Sequence, residues 1–403
     1  MKATLSNRET VKLQLQLTSI ERKVDQELSE ISAAIDFLYL LQPENLKEIE
    51  TSFLSDRSRE EPLFRYANSP AYLKKIRERL LALPLSKVND PILKDLFQSE
   101  KATIVTTISM LSKRGSQRFL KDSIKLYGSP DDNLTNTAFE ILEAFPGKSK
   151  APLKNDYLEA QEFADFARRE INLYRKRHSF IESTVQVDEH LTSILVSGGN
   201  LSIGSRARVP RCRKDATIAH EVGVHLVTFW NGSQQPLSIL SGGLSSYEEL
   251  QEGLAVFSEY LAGGLTRNRL RTLAARVIAV KRMLEGRSFL AVFQELTEDF
   301  GLGERIAFDN TVRVFRGGGM TRPAVYLRGL IWILDYVKAG GDLEILLTGK
   351  LGIEHIPVVK ELMNRGLVTK PVVYPRLLRN SAARARLARA RSGMNIIELV
   401  ADL

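Results

Sequence analysis

The chain has 403 residues, 43% hydrophobic and 26% charged, with a net charge of +9. These proportions are close to globular averages and exclude a disordered or fibrous protein, and the length allows two or three domains. No apolar run approaches the ~20 residues a membrane span needs, Met1 to Glu9 hold no apolar leader core, and the single cysteine, Cys212, excludes an internal disulfide, so a cytoplasmic location is expected.

Residues 1–150 read as a helical N-terminal region that carries little chemistry. Leu13, Leu17, Ile20 and Val24 recur at helical spacing, and Ile31, Ile35, Leu38 and Tyr39 continue it. Pro43-Glu44-Asn45 breaks the pattern. Further helices are predicted around Ala71 to Leu83 and Pro91 to Leu111, divided by Pro84, Asp90-Pro91 and the turn signal Ser129-Pro130-Asp131-Asp132. This region is expected to pack against residues 151–403 and to limit access to them.

Between Thr184 and Arg208 the pattern changes to short alternating runs. Thr184 to Val187, Thr192 to Ser197 and Asn200 to Ile203 predict strands, with Gly198-Gly199 as a tight turn. Such an edge can hold an extended peptide by main-chain hydrogen bonds, and Asn200 is counted with the substrate-binding residues on that ground; an ordinary hairpin over the core is the alternative. The fold class expected is therefore α+β, predominantly helical, with a small sheet beside the helix that follows.

That helix carries His220-Glu221-Val222-Gly223-Val224-His225, inside an apolar run from Ala216 to Trp230. Two imidazoles and a carboxylate buried in such a helix need partners, and a zinc ion supplies them; a hydrogen-bonded core cluster is the plainer alternative. The histidines stand five apart, about 140° round a regular α-helix and too far to share one ion. A local π-bulge would return them to one face, and Gly223 is permissive of that distortion. With His220 and His225 as ligands, Glu221 is left to act on water as a general base.

A third ligand is sought in the helix predicted from Ser245 to Tyr260, which offers Glu248, Glu249, Glu252 and Glu259. Ser246 with Glu249, or Ser245 with Glu248, makes a capping box that would account for the first two. Leu250, Leu254, Phe257 and Leu261 define an apolar face, and the small Gly253 and Ala255 beside Glu252 allow another helix to approach closely. Glu252 is the best ligand, and Glu259 the next.

The string Gln251-Glu252-Gly253-Leu254-Ala255, downstream of the His-Glu-x-x-x-His pattern, resembles the signature of the QEGLA-motif proteins. This zinc-peptidase-like family includes the microtubule-associated tyrosine carboxypeptidases. The resemblance is clearest from Leu195 to Gly329, with Asn231-Gly232, Arg316-Gly317-Gly318 and Tyr326-Leu327-Arg328-Gly329 included. It implies one zinc per chain on His220, His225 and Glu252, Glu221 as the catalytic carboxylate, and a peptide or protein C-terminus as substrate. Relatives carry a Phe-x-Lys-Asp stretch before the tyrosine that corresponds to Tyr326. This chain has Met320-Thr321-Arg322-Pro323-Ala324-Val325 there, so substrate preference is open.

A carboxypeptidase must hold a terminal carboxylate, which the planar arginine fork does well, and Arg316 and Arg328 are the candidates in the resembling segment. Tyr326 is placed as a donor to the developing oxyanion, with simple ring packing as the alternative. Arg376, Arg379, Arg384, Arg386, Arg389 and Arg391 form a basic C-terminal helix, either a solvated face or a surface for an acidic protein partner, nucleic acid or an anionic membrane; no nucleic-acid module accompanies it. Two functional classes follow: a zinc-dependent peptidase, and a non-catalytic zinc-containing binding protein that keeps the fold. Glu221 favours the first, since a structural zinc site has no need of a free carboxylate beside it.

Overall fold

The computed structural model describes residues 16–55, 60–68, 71–147, 156–189, 191 and 193–400. Leu13, Thr192 and the domain boundary expected near residue 150 lie outside them. The N-terminal region is helical, as its periodicity predicts. Helix α1 (Ser19–Ala33) opens on a capping box between Thr18 and Glu21 and buries Val24, Leu28 and Ile31. The chain breaks before α2 (Leu46–Ser55), and after Tyr72–Leu81 comes α3 (Pro91–Ser112). Asp90 caps α3 by accepting from the Ile92 and Leu93 amides, with Pro91 at its first position, where a missing N–H costs nothing. Asp131 caps α4 (Asp132–Ala144) in the same way.

Five short strands follow. β1 (Tyr157–Glu159) and β5 (Arg208–Pro210) pair antiparallel and flank α5 (Ala160–Arg175) and the main sheet. That sheet has the order β2-β4-β3, formed by Val185–Asp188, Asn200–Gly204 and Ile194–Ser197. β3 and β4 are a hairpin closed by Gly198 and Gly199, both at positive φ, as a two-residue turn requires. β2 runs parallel to β4, which leaves β3 as an edge strand.

Three contiguous helical segments, Lys214–His220, Glu221–Leu226 and Val227–Ser233, make α6, and the middle one is a π-helix. The predicted widening is present at the predicted place. Gly223 does not force it, since its φ is not positive and a Cβ there would meet its nearest neighbours at 3.9 Å, an ordinary contact. Helix α7 (Tyr247–Leu261) is buried at every position from Leu250 to Leu261 and forms the centre of the molecule. Against it pack α10 (Val325–Lys338) and α11 (Ser381–Arg391), while α8 (Arg267–Leu284) and α9 (Glu304–Phe315) pack on each other.

The crossing of α7 and α10 is set by glycine on both sides. A Cβ on Gly253 would lie 2.2 Å from the Gly329 carbonyl carbon, and one on Gly329 would lie 2.0 Å from the Glu249 oxygen. No other residue type fits this approach, which brings Glu252 and Tyr326 into contact. The capping box expected at the start of α7 is not formed. Ser246 takes a left-handed conformation (φ 57°) without capping the helix, and Ser245 turns instead to Ser99 and His355.

The hydrophobic core is continuous from Leu17 to Val400, so the N-terminal helices share it with the rest of the chain. Phe53 of α2 packs against Phe289, Phe293 and Phe308 with ring centroids 4.9 to 5.4 Å apart. Among the described residues, no helix is long and apolar enough to cross a membrane.

Candidate active site

The π-helical turn in α6 brings both imidazoles to one face. Their centroids lie 4.9 Å apart, and His220 Nε2 and His225 Nε2 are each 3.7 Å from Glu252 Oε2. All three ligand atoms fall within 4.8 Å of one another. Glu252 Oε2 is sealed from solvent and has no hydrogen-bond partner among the described residues, an expensive state for a carboxylate oxygen unless something else is held there. The other oxygen, Oε1, accepts from Arg322 Nη2 at 3.0 Å. Burial opposes the Glu252 charge, yet His225, Arg322 and His220 together hold its pKa below the usual value. The donor set fits a zinc ion.

Glu259, second in the sequence ranking, does different work. Its Oε1 lies 2.9 Å from His220 Nδ1, the nitrogen facing away from Glu252. A carboxylate can only accept, so Nδ1 carries the proton and the Nε2 lone pair of the neutral ring is aimed at the cluster. Glu259 itself receives Arg213 Nη2 at 2.6 Å and Arg269 Nη2 at 3.0 Å. Against the cost of burial, these two arginines and His220 keep the carboxyl ionised, with its pKa well below the usual range. The same bond, with Glu221 and Glu252, raises the His220 pKa in spite of burial, whereas burial and the neighbouring His220 take His225 down to about 4.

Each residue of the Gln251 to Ala255 string has a distinct place. Gln251 Nε2 donates to Thr228 Oγ1 at 2.7 Å and fastens α7 to α6. Glu252 faces the histidines, Gly253 makes the crossing with α10, and Leu254 and Ala255 are buried in the core. Asn231, after the histidines, is a staple: its Nδ2 donates to the Leu347 and Val373 carbonyls, and its Oδ1 accepts from the Val372 and Val373 amides.

The cluster opens into a cavity of about 410 Å³. Glu221 lines it and has no hydrogen bond or ion pair with another described residue; burial pushes its pKa up to about 7, against the pull of His220. Tyr326 lines it beside Glu252. The edge strand β3 forms one rim through Ile194, Leu195 and Val196, and Leu46 and Glu50 of α2 form part of another. Glu50 is paired with Arg305 at 2.7 Å, so the N-terminal region walls the cavity, as expected.

This geometry accords with the comparison to known families. The family model described as microtubule-associated tyrosine carboxypeptidase matches residues 51–395. The chain belongs to this family. It is therefore a carboxypeptidase-related enzyme of the microtubule-associated tyrosine carboxypeptidase family, with a peptide or protein as its class of substrate. No curated protein matches the sequence. Among solved structures, a crystal structure described as a lipoprotein from Colwellia psychrerythraea aligns over 86% of this chain and 69% of its own, with 12% identity and a TM-score of 0.37.

Within this family member, the arginines are distributed differently from the sequence expectation. Arg316 lines the cavity, but Arg328 does not. Arg328 donates to Glu249 Oε2 at 2.7 Å and to the Tyr127 carbonyl at 2.6 Å on the other side of α10, so it is not placed to bind a carboxylate in the cavity. Glu249, read from the sequence as a capping residue, serves that pair instead. Asn200 is likewise spent inside the sheet, where its Oδ1 accepts from the Thr184 amide at 2.8 Å and hydroxyl at 2.9 Å. Arg376 pairs with Glu170 and Arg386 donates to the Leu261 carbonyl, so part of the basic C-terminal segment is used internally. Sequence reasoning missed Arg213, Arg269, Arg276, Arg313 and Arg322. The only signal was their abundance, except for Arg322, which stands in the stretch that departs from the Phe-x-Lys-Asp pattern of relatives.

Proposed function

We propose that the protein is a zinc-dependent carboxypeptidase that removes a C-terminal residue, with one zinc held by His220, His225 and Glu252. The observation that carries this reading is the unpartnered, buried Glu252 Oε2 facing two imidazole nitrogens in the same cavity as an unpaired Glu221. A zinc ion there would supply Lewis acidity, lowering the pKa of a water and polarising the scissile carbonyl.

The protein's own groups account for the remaining needs. Glu221, poised near neutrality, takes a proton from the attacking water and returns it to the leaving amine. Burial keeps the Tyr326 phenol protonated, so it can donate to the oxyanion of the tetrahedral intermediate. Glu259 fixes the orientation of His220 from behind. The exposed edge of β3 offers main-chain donors and acceptors to an extended peptide, and Arg316 offers its fork to the terminal carboxylate. A cytoplasmic setting goes with this reading, since the one cysteine is free and exposed.

The test is incubation of the full-length protein with a peptide library and mass spectrometry of the products. Loss of single C-terminal residues, abolished in Glu221→Gln, is expected. Equal cleavage by Glu221→Gln and the parent would overturn the mechanism, and internal cleavage alone would overturn the terminal specificity.

A further inference from the structure

Lys350 lines the cavity and belongs to none of the groups that hold the histidine cluster. Its ammonium makes no hydrogen bond or ion pair with a described residue. Its company is two aromatic faces, with the centres of the Phe229 and Tyr247 rings each 5.6 Å from Nζ. Glu248 favours the charge from outside ion-pair distance, and burial brings the amine down to about 8. The main chain at Lys350 is fixed on both sides: its N–H donates to the Leu240 carbonyl at 2.8 Å, and its carbonyl accepts from the Leu244 amide at 2.9 Å. The ammonium is therefore offered to the cavity on a flexible stem from an anchored base.

The Phe229 ring relates this lysine to the edge strand. A Cβ on Gly199 would lie 2.1 Å from a carbon of that ring, so the tip of the β3–β4 hairpin rests on it. The tip is the C-terminal end of β3, where the main-chain groups of the edge run out. The other end of β3 points toward α2 and α9. There the Gly204 amide donates to the Ser193 carbonyl at 2.9 Å, and Arg206, two residues on, shares a recess with Glu50 of α2. Glu50 pairs in turn with Arg305 of α9, the helix that carries Arg313. A peptide whose terminal carboxylate lies at the arginines thus runs antiparallel to β3, and its upstream residues pass the hairpin tip. Phe229 stands one helical turn beyond His225, about 6 Å at 1.5 Å per residue, which about two residues of extended peptide span.

We propose that Lys350 is a substrate-binding residue, whose ammonium donates to a main-chain carbonyl about two residues upstream of the cleaved bond. It takes over as donor where β3 ends. Three donors on a flexible stem accept a carbonyl whatever side chain accompanies it, so the contact selects for length of chain before the bond and not for residue type. The inference rests on the carboxypeptidase reading.

The experiment measures KM and kcat for acylated peptides of two to five residues with the full-length protein. In the parent KM should fall with length by at least about tenfold, the scale of one charge-assisted hydrogen bond. Lys350→Met should flatten that fall, and Lys350→Arg should restore it. The effect should be the same with alanine, glutamine or glutamate at the upstream position; a loss confined to glutamate peptides would mean side-chain recognition and overturns the main-chain contact. Reductive trapping reads the placement without turnover: with zinc-loaded Glu221→Gln and cyanoborohydride, a peptide carrying an aldehyde on the third residue from its C-terminus should label Lys350, and one carrying it on the last residue should not. Labelling from the last residue alone, or of other lysines only, overturns the proposal. Trimming whose length dependence is untouched in Lys350→Met sinks the lysine contact and leaves the carboxypeptidase. Position-specific labelling of Lys350 without trimming of any peptide by the parent sinks the carboxypeptidase and leaves a peptide-binding site.

Discussion

The two ends of the cavity treat buried charge in opposite ways. At the histidine end the buried charges are largely answered: Glu252 Oε1 has Arg322, and Glu259 has His220, Arg213 and Arg269. Glu252 Oε2, without a hydrogen-bond partner among the described residues, sits where the two Nε2 atoms converge, and Glu221 stands unpaired beside it. At the arginine end Arg276, Arg313 and Arg316 line the cavity without an ion pair among the described residues, with Asn310 and the Tyr326 ring beside Arg276. On the proposed function the first end is organised in advance for a small fixed ion and the second holds cations for the terminal carboxylate of a substrate, the ordinary difference between a cofactor site and a substrate site.

Substitutions can break this contrast. The largest effect is expected at the ligands: metal analysis should find about one zinc per chain in the parent and almost none in His220→Ala or His225→Ala, with activity lost alongside. Glu221→Gln should retain the zinc while turnover falls by about 10²- to 10⁴-fold, the usual contribution of a general base. Zinc loss in Glu221→Gln would place that carboxylate among the ligands and undo its assignment.

Stability should distinguish the ends in sign. Glu259→Gln leaves two partly buried arginines without their counter-charge and is expected to cost roughly 3–5 kcal/mol by chemical denaturation. Arg316→Met removes a cation that has no ion pair among the described residues, so the metal-free protein should gain about 1 kcal/mol while substrate affinity falls. If both variants were destabilised alike, the arginine end would hold structural rather than functional charge.

A pH-dependent effect concerns Glu100, a buried carboxyl whose pKa is raised to about 8 by burial and by Glu248. Its folded-state pKa lies above its unfolded one, so its contribution to stability is full below about pH 4.5 and is lost as pH rises toward 8. Melting curves of the parent and Glu100→Gln should therefore be closest at pH 5, with the variant gaining relative to the parent up to pH 8. A pH-independent difference would mean that Glu100 acts by packing and not by charge.

Much of the fold was legible because local chemistry decides it. Asp90 and Asp131 start helices where a carboxylate and a turn coincide, and Gly198-Gly199 closes the hairpin because only glycine takes two positive φ angles cheaply. The histidine spacing demanded a widened helix, and the π-helical turn at Glu221–Leu226 supplies it. Elsewhere local reading misled. Ser246 and Glu249 match a capping box in sequence, but the backbone before α7 turns left-handed and Glu249 is drawn to Arg328. Arg328 and Asn200, plausible substrate residues by position, are taken up by Tyr127, Glu249 and Thr184.

By itself, the sequence determined the helical character, the small sheet, the His-Glu-His face and the pairing of that face with Glu252, because spacing, small residues and side-chain chemistry constrain these within one or two elements. Tertiary structure alone decided which of many arginines and glutamates serve the cavity. A long charged side chain can reach several partners, and its role follows from which one the packing of α7, α8, α9 and α10 brings within 3 Å. Glu259 thus became the support of His220, Arg322 the partner of Glu252, and Arg276, Arg313 and Arg316 cations that line the cavity.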